Sequence, residues 1–148
     1  MIWNPHVTVA AIVERNGKFL MVEEETDDGI RFNQPAGHLE SGETLTEAIV
    51  REAMEETGHM FVPRFLVGVY HWNHPTKNIT YLRFTFSGET VRYNSDGVLD
   101  AGILGVHWLT FDEIRARGTQ HRSPMVLSCL EDWQAGRCYP MELITHYT

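Results

Sequence analysis

The chain has 148 residues, 43% of them hydrophobic, and a formal net charge of −8. That length suits a single domain, expected to span residues 1–148, and the acidic surplus argues against a basic nucleic-acid-binding face. No apolar run approaches the roughly 18 residues of a membrane helix, Met1-Ile2-Trp3-Asn4-Pro5 lacks the basic start of a secretory leader, and Cys129 and Cys138 read as free thiols, so a cytoplasmic protein is expected.

Val7 to Val13 reads as a buried strand, and Asn16-Gly17 is a hairpin turn signal. Lys18 to Glu24 continues as a second strand. After a Thr26–Gly29 loop, Ile30 to Gln34 reads as a short third strand. A helix is expected from about Thr44 to Thr57, with Gly58 as its left-handed stop. Phe61 to Tyr70 reads as one or two strands, and Trp72 to Asn78 as a polar turn. Ile79 to Ser87 alternates, with Tyr81, Arg83 and Thr85 on one side and Leu82, Phe84 and Phe86 on the other. Gly105 to Leu109 is expected to be the last strand. A helix then starts at Thr110, where Glu113 completes a capping box, and another spans Pro124 to Gln134 before Gly136. Strands, helix, strands, helices with mixed pairing predict an α/β (α+β) fold, an α/β/α sandwich around a mixed central sheet.

The stretch from Gly37 to His59 holds the chemistry. It reads G-H-L-E-S-G-E-T-L-T-E-A-I-V-R-E-A-M-E-E-T-G-H. At about 100° per residue, Glu52, Glu55 and Glu56 share one helical arc, beside an apolar arc of Ile49, Val50, Ala53 and Met54. Three clustered carboxylates repel one another, and a hard divalent cation such as Mg²⁺ reverses that sign. A solvated acidic face is the commoner use of such a run. Arg83 sits among aromatics on its strand, where it either clamps a phosphate or pairs with an acid. Phe32, Trp72 and Tyr81 are candidates to stack a planar ring, or ordinary core and rim aromatics. His71 and His74 lack the companions of a zinc site and read as surface histidines.

This stretch resembles the signature of the Nudix hydrolases, G-x5-E-x7-R-E-U-x-E-E-x-G-U with U bulky and apolar. Gly37, Glu43, Arg51, Glu52, Glu55, Glu56 and Gly58 supply all seven fixed letters, while Ala53 and His59 depart at two U positions. The resemblance implies that Glu52 and Glu56 bind Mg²⁺ (with Mn²⁺ able to substitute). Glu55 is then a further ligand or the base, and the Gly37 carbonyl another ligand. It also implies that Glu43 and Arg51 form a structural ion pair. His38, directly after Gly37, is a candidate to meet substrate phosphate. Many family members carry another acid six residues before the late-strand tryptophan. Here that place is Gly102, so Asp100 is the candidate replacement, with Asp96 nearby or neither acting.

Beyond the signature, Pro5–Ala10, Asn33–Glu40, Leu82–Phe84, Arg122–Pro124 and Gly136–Pro140 look like a bacterial phosphatase branch of the family, the NudJ type. That likeness implies an enzyme cleaving nucleoside tri- and diphosphates, and thiamine-type pyrophosphates, with release of phosphate. The implied partners are small nucleotides or pyrophosphate esters, without nucleic acid or membrane, in a monomer or small homo-oligomer. Two other readings stand beside it: hydrolysis of a nucleoside diphosphate linked to a sugar or alcohol, and a non-catalytic nucleotide-binding domain.

Overall fold

A computed structural model describes residues 2–148. Strands β1 (His6–Arg15), β2 (Lys18–Thr26), β3 (Gly29–Asn33) and β4 (Ala36–His38) precede helix α1 (Leu45–Thr57). Strands β5 (His59–Asn73), β6 (Thr80–Tyr93) and β7 (Ile103–Thr110) follow. Helices α2 (Phe111–Ala116) and α3 (Met125–Gln134) and strand β8 (Tyr139–Pro140) close the order. The eight-stranded sheet runs β3-β2-β1-β6-β5-β8, with β4 also on β1 and β7 also on β2. Only β1 and β6 pair in parallel among the described strands. The expected mixed sheet is therefore present.

Two cores make the layers. On one side Ala48, Ile49 and Ala53 of α1 pack on Val9, Leu66 and Phe86. On the other, Ile114 of α2 and Val126, Cys129 and Leu130 of α3 pack on Ile12, Phe19 and Met21. The helix caps follow the sequence signals. Thr44 and Thr110 each accept from the backbone N–H three residues on, and Glu47 and Glu113 return the bond. The β1–β2 turn carries positive φ at both Asn16 and Gly17, as a two-residue hairpin requires.

Three expectations need correction. Trp72 and Asn73 belong to β5 rather than to a turn, because three register shifts let this 15-residue strand follow β6 along its length. The last strand is β8, a two-residue edge too short to show in the sequence. On α1 the buried apolar residues are Ala48, Ile49 and Ala53, while Val50 and Met54 are only partly covered.

Candidate active site

The Glu-rich arc of α1 comes over the edge of β4. Gly37 makes the approach possible: a Cβ there would lie 2.1 Å from the Glu52 carboxyl carbon. Any side chain at residue 37 would displace Glu52. Glu52, Glu55 and Asp100 each bring a carboxylate oxygen to within 4.8 Å of the others. Asp100 is fixed there because its N–H donates to the Glu55 carbonyl at 2.9 Å. Asp96 is instead engaged in its own turn, its N–H donating to the Asn94 side chain. Gly102, where the resemblance leads an acid to be expected, has φ +96° and accepts from the Glu25 N–H through its carbonyl. It serves as a backbone corner that a side chain would strain.

Glu56 lies deeper, 7% exposed, and accepts from the Ala36 N–H at 2.9 Å. Burial pushes its carboxyl up to about 9, with the nearby Glu24 and Glu52 carboxylates acting in the same direction. Burial also raises Glu52, against the lowering effect of the Arg51 guanidinium. Two buried acids, with the Glu55 and Asp100 carboxylates near Glu52, fit a hard divalent cation. Such a cation would be held by carboxylates of α1 and would supply Lewis acidity and charge neutralisation.

The backbone carbonyl turned toward these acids is Ala36's. Leu39 N–H donates to Val7, and Ala11 N–H donates to Pro35, so Val7/Leu39 and Ala11/Pro35 are hydrogen-bonded pairs. Val9/Gly37 falls midway and is of the same kind, which turns the Gly37 carbonyl onto β1. Ala36 faces outward, as its bond to Glu56 shows. The Gly37 carbonyl was the expected ligand; the antiparallel register turns it onto β1 and leaves the neighbouring Ala36 carbonyl on the side of the acids.

Arg51 grips Glu43 with two bonds of 3.0 and 2.7 Å. The same guanidinium donates to Glu52 and Glu55, at 2.7 and 3.2 Å, and to the His38 carbonyl at 3.0 Å. The expected pair with Glu43 is present, but Arg51 also touches the acid arc and ties the loop to it. Gly58 ends α1 at φ +74°.

The acids open on a cleft of about 390 Å³ that Glu52, Glu56, His38, Arg83, Trp72 and Tyr81 help to line. Arg83 is buried, and burial lowers its pKa. It donates to Gln34 Oε1 at 2.7 Å and to Asn33 Oδ1 at 3.3 and 3.4 Å, leaving Nε without a partner. Of the two alternatives for Arg83, the acidic partner is not found: no carboxylate lies within ion-pair distance of it among the described residues, and amide oxygens take that place. Phe32 does not reach the cleft. It lies in the second core with the Arg117 guanidinium 5.3 Å over its ring, because strand alternation gives the cleft side to Asn33. His38 lines the cleft, with Nε2 3.1 Å from His6 Nδ1, and burial lowers its pKa. His74 is also a cleft residue, not simply a surface histidine. Glu24 and Arg122 were not among the expected site residues. They meet at 3.0 Å inside the cleft from positions 98 residues apart, a pairing that no local pattern announces.

A NUDIX domain family model matches residues 4–129. The chain belongs to the Nudix hydrolases. Among its Nudix relatives is the phosphatase NudJ of Escherichia coli K12, 40% identical over 143 residues, which are 97% of this chain and 92% of that protein. A solved NUDIX hydrolase from Nitrosomonas europaea is 49% identical, with a TM-score of 0.94 over 97% of this chain and 98% of its own. The Nudix domain of Shewanella oneidensis NrtR, solved with ADP ribose, shares the fold at 14% identity and a TM-score of 0.73 over 91% and 90% of the two chains. No helix of the described residues is long and apolar enough to cross a membrane.

Proposed function

We propose that this Nudix hydrolase is a Mg²⁺-dependent enzyme that cleaves phosphoanhydride bonds of nucleoside di- and triphosphates and releases phosphate, with thiamine-type pyrophosphates as further substrates. The observation that carries the proposal is the gathering of Glu52, Glu55 and Asp100 beside a cleft that Glu52 itself lines, with Gly37 leaving room for Glu52. Similarity to the phosphatase NudJ supports the release of phosphate.

In this reading Glu52, Glu56 and the Ala36 carbonyl hold the cation and Glu55 completes the set. Mn²⁺ would substitute for Mg²⁺, having the same preference for oxygen donors. Asp100, at the edge of the group, positions the attacking water and accepts its proton. Arg51 is a positioning residue: it holds Glu52 and Glu55 in place against the loop. Arg122 and His38, both lining the cleft, offer donors to phosphate oxygens. The protein acts as one domain in the cytoplasm, where its nucleotide substrates are found.

A panel of nucleoside di- and triphosphates and pyrophosphate esters, with phosphate and pyrophosphate assayed separately, tests the reading. Phosphate is the expected product. Pyrophosphate alone, or turnover confined to nucleotide sugars, would overturn it.

A further inference from the structure

The floor of the cleft is a sheet face whose register is known residue by residue. Crossing it from the acids, the strands come in the order β4, β1, β6, β5. His38, His6, Tyr81 and Trp72 follow one another across those four strands. Tyr81 stands opposite His6 on one side and Trp72 on the other. Ring centroids are 5.2 Å apart from His38 to His6, 5.4 Å from His6 to Tyr81 and 5.6 Å from Tyr81 to Trp72. His74, two residues on from Trp72 along the chain, has its ring 5.1 Å from that of Trp72.

Tyr81 and Trp72 differ from the rest of this row. Their planes are only 18° apart, whereas the histidines meet their neighbours edge-on or tilted. Both are partly exposed, and both line the cleft. The acids stand at the opposite end, at the edge of β4. A cross-strand aromatic pair also stabilises a sheet. Packing alone, however, does not require the pair to face a polar cleft that leads to a carboxylate cluster.

The strand count turns this arrangement into a length. Three strand steps at roughly 4.8 Å put Trp72 about 14 Å from β4, and two put Tyr81 about 10 Å away. A pyrimidine joined to its pyrophosphate by one methylene cannot reach both ends. In a nucleoside triphosphate, a ribose and further phosphates separate the base from the bond to be cut. We infer that Tyr81 and Trp72 form a ring subsite that selects nucleoside polyphosphates over short one-ring pyrophosphate esters by the distance from ring to acids. The inference rests on the phosphoanhydride-hydrolase reading and assigns the specificity of the same cleft. Stacking tolerates any base, so selectivity among bases is expected to be weak.

Trp72→Leu and Tyr81→Leu test this against two probes, ATP and hydroxymethylpyrimidine pyrophosphate. Each probe is measured as a substrate, or as a competitive inhibitor where it is not turned over. Each leucine variant should raise KM for ATP about tenfold, the order expected for losing one stacked base. The constant for the short ester should move less than about twofold, and kcat for ATP should hold. Trp72→Tyr, which keeps a flat ring, should restore the ATP KM and guards against a variant that merely folds badly. Equal losses on both probes, or an unchanged ATP KM in either leucine variant, would overturn the subsite. Adenosine quenching of tryptophan fluorescence in chelator provides a readout independent of turnover. Quenching in wild type that disappears in Trp72→Phe supports the subsite even if no pyrophosphate is cleaved; no quenching in wild type counts against it. Absence of hydrolysis for every probe would instead sink the functional reading.

Discussion

Glu56 and Glu40 flank the same loop, yet one is buried under β4 and the other is 65% exposed at its side chain. Glu56→Gln should cost at least about two decades in kcat, the range for losing a principal charge-stabilising group. Glu40→Gln should stay near wild type in the same assay, and equal losses would place the site elsewhere. Without metal, Glu56 also predicts a pH dependence. Its carboxyl sits at about 9 in the folded chain against an ordinary value of 4.5. The folded state therefore holds the proton more tightly. The stability this provides is complete below about pH 4.5 and disappears as pH rises through about 9. In chelator, urea midpoints should fall across that window, and Glu56→Gln should flatten the slope. Asp100→Asn should lower kcat by about two to four decades if it accepts the proton of water, while Asp96→Asn changes little. Wild-type turnover by Asp100→Asn would leave Glu55 as the base.

Helix α1 carries its own start and stop. The Thr44–Glu47 box closes one end, and Gly58 in the left-handed region closes the other. A Cβ on Gly58 would lie 2.9 Å from the Asn94 carbonyl oxygen, whereas one on Gly42, also at positive φ, would meet nothing within 4 Å. Gly58→Ala should therefore destabilise by more than the roughly 1 kcal/mol of backbone strain alone, and Gly42→Ala by about that amount. Thermal unfolding of the two variants reads the difference. Equal shifts would show that the contact with the segment after β6 is free to relax. Strand β5 shows the opposite case. Its course depends on bulges against β6, and those on partners well downstream in the chain, from Thr85 opposite Gly68 to Arg92 opposite Met60.

At the scale of the whole molecule, the site lies where the two halves of the sheet part. Strand β1 gives its first half to β4 and its end to β2, and the cleft opens between them. Acids from α1 and from the segment before β7 meet there, so a bound cation should brace the fold as well as the reaction. Mg²⁺ at about tenfold over its dissociation constant should add roughly 1.4 kcal/mol, a rise of roughly 4 °C in Tm for a chain of this size. EDTA should abolish both that rise and turnover. Full activity in excess chelator would remove the metal from the mechanism.

The signature from Gly37 to Gly58 was legible because a helix is periodic: spacing alone puts Glu52, Glu55 and Glu56 on one arc. Caps, the Asn16-Gly17 turn and the alternation of β6 were legible for the same reason, since each is a contact between near neighbours in the chain. Asp100 could be nominated by counting from Trp108, but only folding brings it beside Glu52. The Glu24–Arg122 pair, the amide partners of Arg83 and the outward-facing Ala36 carbonyl depend on which strands lie side by side and in what register. So does the stacking of Trp72 on Tyr81, together with its distance from the acids. Pairing and register are settled by the packing of two cores against one sheet, and side-chain period 2 makes a one-residue shift exchange the faces. Local sequence therefore determined the chemistry of the site, and the tertiary fold decided the groups that surround it and the length of substrate that fits.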